Sequence, residues 1–146
     1  MEKIALDLAR KKLYFCKEDD PVQKVADLMQ AKNVGSVLVK DSRMALSGIV
    51  TVGDILRLVS KKNDISKHKV KDIMSSPVMT AKYNIDLMSA MQMFKKTKVT
   101  RLVLVDDKGK ELGVLRDLAC YKCLTFSKFE EEAAERFSSY RTDHFY

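Results

Sequence analysis

Apolar residues in this chain fall into short blocks with alternating helical and strand spacing. Between Pro21 and Lys32 they stand at positions 22, 25, 26, 28 and 29, the three-and-four spacing of an amphipathic helix. Asp19-Asp20-Pro21 opens that helix, with a proline suited to the first turn and acids at the positive end of the helix dipole; Asn33 closes it. The β-branched run Val34–Lys40 predicts a buried strand, Asp41-Ser42-Arg43 a turn, and Leu46–Val50 a second strand. Thr51 then caps a helix through Ser60, and a short strand at Leu13–Cys16 precedes the first helix.

The same order recurs later. Shifted by 65 positions, Val34, Val37, Val39 and Asp41 fall on Val99, Leu102, Leu104 and Asp106, and Gly48-Ile49-Val50 falls on Gly113-Val114-Leu115. Val22, Val25, Leu28 and Met29 fall on Leu87, Ala90, Met93 and Phe94 without a gap. The second copy predicts strand Val78–Thr80, helix Ile85–Lys96, strand Arg101–Asp106, strand Leu112–Leu115 and helix Arg116–Cys123. Short helical turns at Ile4–Ala9 and Val70–Met74 precede the two copies, and the polar stretch SKKNDISKHK links them. The reading is an α/β (α+β) chain of two pseudo-symmetric β-α-β-β-α repeats packed through their sheets. Its expected divisions are 1–60, 61–125 with the linker, and a tail over 126–146. A unit of about 50 residues buries too little core alone, so the copies are expected to pack on each other and create two clefts between them.

Composition narrows the possible roles. Of 146 residues, 46% are hydrophobic and 32% charged, a folded balance; Trp is absent and Gly numbers only 5, which disfavours base-stacking platforms and Gly-rich phosphate loops. No apolar run approaches the ~20 residues of a membrane span, and MEKIALDLAR does not read as a signal peptide, so a cytoplasmic protein without membrane contact is expected. The net charge is +7, with +2 over residues 1–60, +7 over 61–125 and −2 over 126–146. That excess reads either as a solvated lysine-rich surface or as a field for anions, nucleic acid included. No helix-turn-helix, zinc-finger or RNA-reading motif accompanies it.

Cys16, Cys120 and Cys123 do not read as a disulfide framework, and the lone Cys120-x-x-Cys123 reads as two helix cysteines before it reads as a metal or redox motif. No metal is expected. Met29, Met88, Met91 and Met93 fall on or beside apolar helix faces. In the tail, Phe129, Ala133, Phe137 and Tyr140 form one stripe of an acidic helix from Lys128 to about Tyr140. With no paired carboxylates, no Ser/Cys–His arrangement and no metal cluster, the chain reads as a non-enzyme.

Gly48-Ile49-Val50-Thr51-Val52-Gly53-Asp54, with Ser76-Pro77-Val78-Met79-Thr80 and the strand Val99–Asp106, resembles the cystathionine-β-synthase (CBS) domain over roughly residues 1–125. The resemblance implies a tandem pair, the Bateman module, here as a stand-alone protein. It implies an adenosine ligand (AMP, ADP, ATP or S-adenosylmethionine), no cofactor, a regulatory role toward a separate protein, and a homodimer built on the apolar faces of helices such as 52–60 and 116–123.

It also implies a site. Asp54 would accept both hydroxyls of the ribose diol, Thr51 would offer its hydroxyl to ribose or phosphate, and Gly53 would leave the first helical turn open. Val78 and Met79 would flank the adenine, and Thr100 and Arg101 would lie near ribose or phosphate, where a guanidinium binds bidentately. Thr51-x-x-Asp54 also has a plain reading as a helix capping box, and Arg101 as a surface ion-pair partner. The second copy has Arg116 and Ala119 in the Thr and Asp positions, and Asp117 should point elsewhere. A second cleft, flanked by Tyr14, Phe15, Gly35, Ser36 and Arg116, is therefore doubtful, and one adenosine site per chain is expected. The alternative is a nucleic-acid-binding or adaptor protein with a vestigial nucleotide site.

Overall fold

The 65-residue period of the sequence reappears in every described element. The computed structural model describes residues 4–124. In chain order these are α1 (Ala5–Leu8), β1 (Phe15–Lys17), α2 (Val22–Lys32), β2 (Ser36–Lys40), β3 (Leu46–Thr51), α3 (Val52–Ser60), a tight turn at Val70–Asp72, β4 (Thr80–Lys82), α4 (Leu87–Thr97), β5 (Arg101–Val105) and β6 (Glu111–Arg116). A further helix, α5, covers 117–124. The expected acidic helix over Lys128 to Tyr140 lies outside the described residues.

Each repeat forms a three-stranded sheet of the same plan, β1-β2-β3 and β4-β5-β6. The first pair of each is parallel and the second antiparallel. Register repeats as well: Val37 opposes Val50 as Leu102 opposes Leu115, and both antiparallel pairs shift register at the equivalent step, Val39/Lys40 and Leu104/Val105.

Several boundaries move from the sequence expectation. Val34 is not in a strand. Asn33 adopts a left-handed conformation and Val34 N donates to Met29 O at 3.0 Å, so both residues close α2 before β2 begins. α4 starts at Leu87, not Ile85, because Asp86 is its cap and accepts from Ser89 N at 2.8 Å. That bond and a second from Ser89 Oγ hold the Asp86 carboxyl below its ordinary pKa. β1 and β4 begin two residues later than expected, and just before them Tyr14 O and Met79 O accept from Leu38 N and Val103 N.

The described residues form two compact units that are not the two contiguous halves of the chain. Residues 12–78 make one; residues 4–11 and 79–124 make the other. The segment before each repeat thus packs on the other repeat's unit. Ser75 pairs with Ile49 of β3, and Arg10 pairs with Val114 of β6. These crossings explain the repeated glycine. A Cβ on Gly48 would stand 2.5 Å from Met74 Sδ, and one on Gly113 would stand 3.0 Å from Ala9 Cβ.

Each unit has its own core. In 12–78, Val25 and Met29 of α2 pack with Val37, Val39, Val50, Cys16 and Val70. In the other, Leu87, Ala90 and Phe94 of α4 pack with Leu102, Leu104, Leu115, Ala5 and Cys120. Met91 and Met93 pack against this second core, whereas Met88 is exposed beside that face and does not join it. α3 is unusual in what it leaves outside: Val52, Leu56 and Val59 form an exposed apolar stripe while Asp54, a carboxylate, is its buried residue.

Candidate functional site

The start of α3 is organised by its first four residues. Thr51 ends β3 in extended conformation and caps the helix. Its Oγ1 accepts from Asp54 N at 3.3 Å and donates to Asp54 Oδ2 at 3.1 Å; its own N–H donates to the same Oδ2 at 2.8 Å. This is the closed capping box that the residue spacing allows. Val52 N donates to Gly35 O at 3.1 Å, which fastens the helix start to the residues just before β2. Ser36, buried, pairs across the sheet with Thr51.

The side chain that sequence reasoning missed is Arg57. One turn along α3, its Nη2 donates to Asp54 Oδ1 in a short ion-paired hydrogen bond. The guanidinium folds back over the first turn, so that a Cβ on Gly53 would lie 3.5 Å from Nη1, an ordinary contact. The protein's own packing therefore leaves room for a side chain at Gly53. Arg57 was legible in principle: Asp and Arg three apart on a helix are neighbours.

The remaining expected residues divide between the units. Thr51, Gly53, Asp54, Tyr14, Phe15, Gly35, Ser36 and Val78 belong to 12–78, whereas Met79, Thr100, Arg101 and Arg116 belong to the other. Within 12–78, Gly35 O accepts from Val52 N and Ser36 pairs with Thr51, so both residues lie beside the start of α3. The exposed ring of Phe15 carries Lys40 Nζ 4.5 Å from its centroid. Within the other unit, Arg101 pairs across the sheet with Arg116, and Asp117 N donates to Thr100 O at 2.9 Å, the counterpart of the Val52–Gly35 bond. Half-buried Arg101 reaches Thr100 Oγ1 at 3.5 Å. Ala119 offers no acceptor where Asp54 stands, and the Asp117 carboxylate turns back on Leu118 N at 2.7 Å. The two helix starts thus share a backbone frame but differ in their capping residues: Thr51 and Asp54 at one, an exposed Arg116 and Ala119 at the other.

The cysteines are free thiols, and Cys16 and Cys120 are buried. Burial pushes Cys16 up to about 12, with Asp20 adding to it, and Cys120 up to about 11, with Cys123 and Asp117 adding. Among the described residues no helix is long and apolar enough to cross a membrane.

Residues 4–61 and 70–121 each match the CBS domain. The chain belongs to the CBS-domain family. Its two CBS repeats are similar to inosine-5′-monophosphate dehydrogenase of Methanocaldococcus jannaschii, at 30% identity over 102 residues, covering 68% of this chain and 20% of that protein. The chain spans two thirds or less of the length of the first curated relatives it matches. The CBS domain pair of protein MJ0100, solved in complex with 5′-methylthioadenosine and S-adenosyl-L-methionine, shares the fold with a TM-score of 0.74 at 17% identity, covering 87% of this chain and 99% of that one. CBSX2, solved in complex with AMP, shares it with a TM-score of 0.65 at 25% identity, covering 86% and 98%.

Proposed function

We propose that this chain is a regulatory module that senses an adenine nucleotide (AMP, ADP or ATP) and passes the resulting conformational change to a separate protein. Thr51, Gly53 and Asp54 hold the ribose and its 5′ substituent; Val78 and Met79 flank the adenine; Thr100 and Arg101 serve ribose or phosphate. The observation that carries this reading is Asp54, a buried carboxylate set at a helix start beside a threonine hydroxyl and a guanidinium. Buried carboxylates are uncommon unless they are partnered. The adenosine-bearing ligands of these two solved proteins support the ligand class. Ala119 at the equivalent position supports one such site per chain. The exposed stripe Val52, Leu56 and Val59, with Leu118 and Tyr121 of α5, supports pairing of two copies.

The test is a thermal-shift and calorimetry panel of AMP, ADP, ATP, S-adenosylmethionine and GTP on wild type and Asp54→Ala. A ligand at 100 times its Kd stabilises the fold by about 2.7 kcal/mol. Selective adenine binding at one per chain, lost in a folded Asp54→Ala protein, is the expected result. No shift with any nucleotide would sink the reading.

A further inference from the structure

The Asp54 carboxylate is nearly full before any ligand arrives. An ionised carboxylate offers about four acceptor positions. Oδ2 takes Thr51 N and Thr51 Oγ1, and Oδ1 takes Arg57 Nη2, so three donors already occupy it. A vicinal diol brings two more, one beyond the room left. One present donor has to leave.

Thr51 N on Oδ2 is half of the capping box, and breaking it would cost the helix its cap; the Thr51 hydroxyl is held beside Oδ2 by the bond its oxygen accepts from Asp54 N. Arg57 is the donor most open to solvent: its side chain is 69% exposed, against 7% for Asp54. Once displaced, the guanidinium stays protonated and still sits on the first turn beside Gly53. It then needs another anion or water. A 5′-phosphate offers a bidentate acceptor for that fork. A thioether at the same position offers no charge, and a sulfonium repels it.

We propose that Arg57 is the specificity-determining residue of this site, exchanging the Asp54 carboxylate for the 5′-phosphate of the ligand and so selecting phosphorylated adenosines over uncharged or cationic ones. This rests on the reading that Asp54 grips the ribose. It also assigns the phosphate to a residue on the same helix as Asp54, in addition to Arg101 in the other unit.

The experiment compares AMP with 5′-methylthioadenosine, which has the same nucleoside and no phosphate, by calorimetry on the full chain. Arg57→Gln should weaken AMP about tenfold or more, the loss expected for a charge-assisted contact. The same variant should leave 5′-methylthioadenosine unchanged or tighter, because Oδ1 is freed. Arg57→Lys keeps the charge but loses the fork, and AMP should fall between the two. Equal weakening of both ligands, or no loss of AMP affinity, overturns the proposal while the ribose reading stands. Failure of wild type to bind either ligand removes the ribose reading, and this one with it. If Arg57→Gln does not fold, Arg57→Lys decides: AMP must weaken relative to 5′-methylthioadenosine.

Discussion

At the scale of single residues, Thr51 and Asp54 do two jobs with one set of atoms. The hydroxyl and carboxylate that would meet a ligand are the same groups that cap α3. Mutations here therefore mix stability with binding, and the two have to be separated by magnitude. Loss of a side-chain cap costs about 0.5–2 kcal/mol. Thr51→Ala should fall within that range in urea unfolding. Asp54→Ala should cost more, because it also leaves Thr51 N without its acceptor in a partly buried place. A loss of several kcal/mol for Thr51→Ala would mean that the hydroxyl supports more than the cap. The motif was legible in the sequence, but its occupancy was not. Spacing shows that Thr51 and Asp54 can meet, yet it does not show that Arg57 will fold back onto Oδ1 and not extend into solvent.

Among the elements, the glycines that lead β3 and β6 into their helices act through packing. Gly48 lies under the segment that carries Met74 and Ser75, and Ser75 is held there by reciprocal bonds with Ile49 at 2.9 and 3.1 Å. A methyl at 48 meets Met74 Sδ, which can shift, and Ser75 O at 3.1 Å, which is fixed by the pairing. Overpacking of this kind costs about 1–3 kcal/mol. Gly48→Ala should therefore destabilise measurably, and Met74→Ala in the same chain should recover part of the loss. Gly113→Ala meets nothing nearer than Ala9 Cβ at 3.0 Å and should cost less. Equal costs at the two glycines, measured by denaturant midpoints, would contradict this difference. Sequence periodicity located these strands and helices to within a few residues. It missed the ends where a cap competes with the strand, as at Asn33 and Val34, because capping bonds depend on backbone angles that apolar spacing does not encode.

Across the whole molecule, the buried thiols give a stability term that depends on pH. The folded state holds Cys16 protonated up to about 12 and Cys120 up to about 11, whereas the unfolded chain ionises near the ordinary value of 9.0. Above that value the unfolded state binds fewer protons than the native one, so unfolding is favoured as pH rises. The contribution is complete below about pH 9 and is lost progressively toward 11 and 12. Urea midpoints at pH 7.5, 9 and 10.5 should fall more steeply for wild type than for Cys16→Ala. Parallel slopes would show that Cys16 is not shielded as the fold implies.

The repeat, the order of elements, the faces of α2 and α4, and the Thr-x-x-Asp motif were all determined by the sequence itself. Each depends on spacing along one chain, and spacing converts directly into faces of a helix or strand. Three things were decided only by tertiary structure. The compact units exchange their leading segments, so residues 4–11 pack on the second repeat and 70–78 on the first. Gly35 and Ser36 adjoin the start of α3, through Val52 N on Gly35 O and the Ser36–Thr51 pair. Arg57 holds the carboxylate on which the site depends. The first two are long-range packing choices, and the third is one choice among several rotamers. None leaves a periodic trace in the sequence, because their energy comes from which surfaces meet and not from local order.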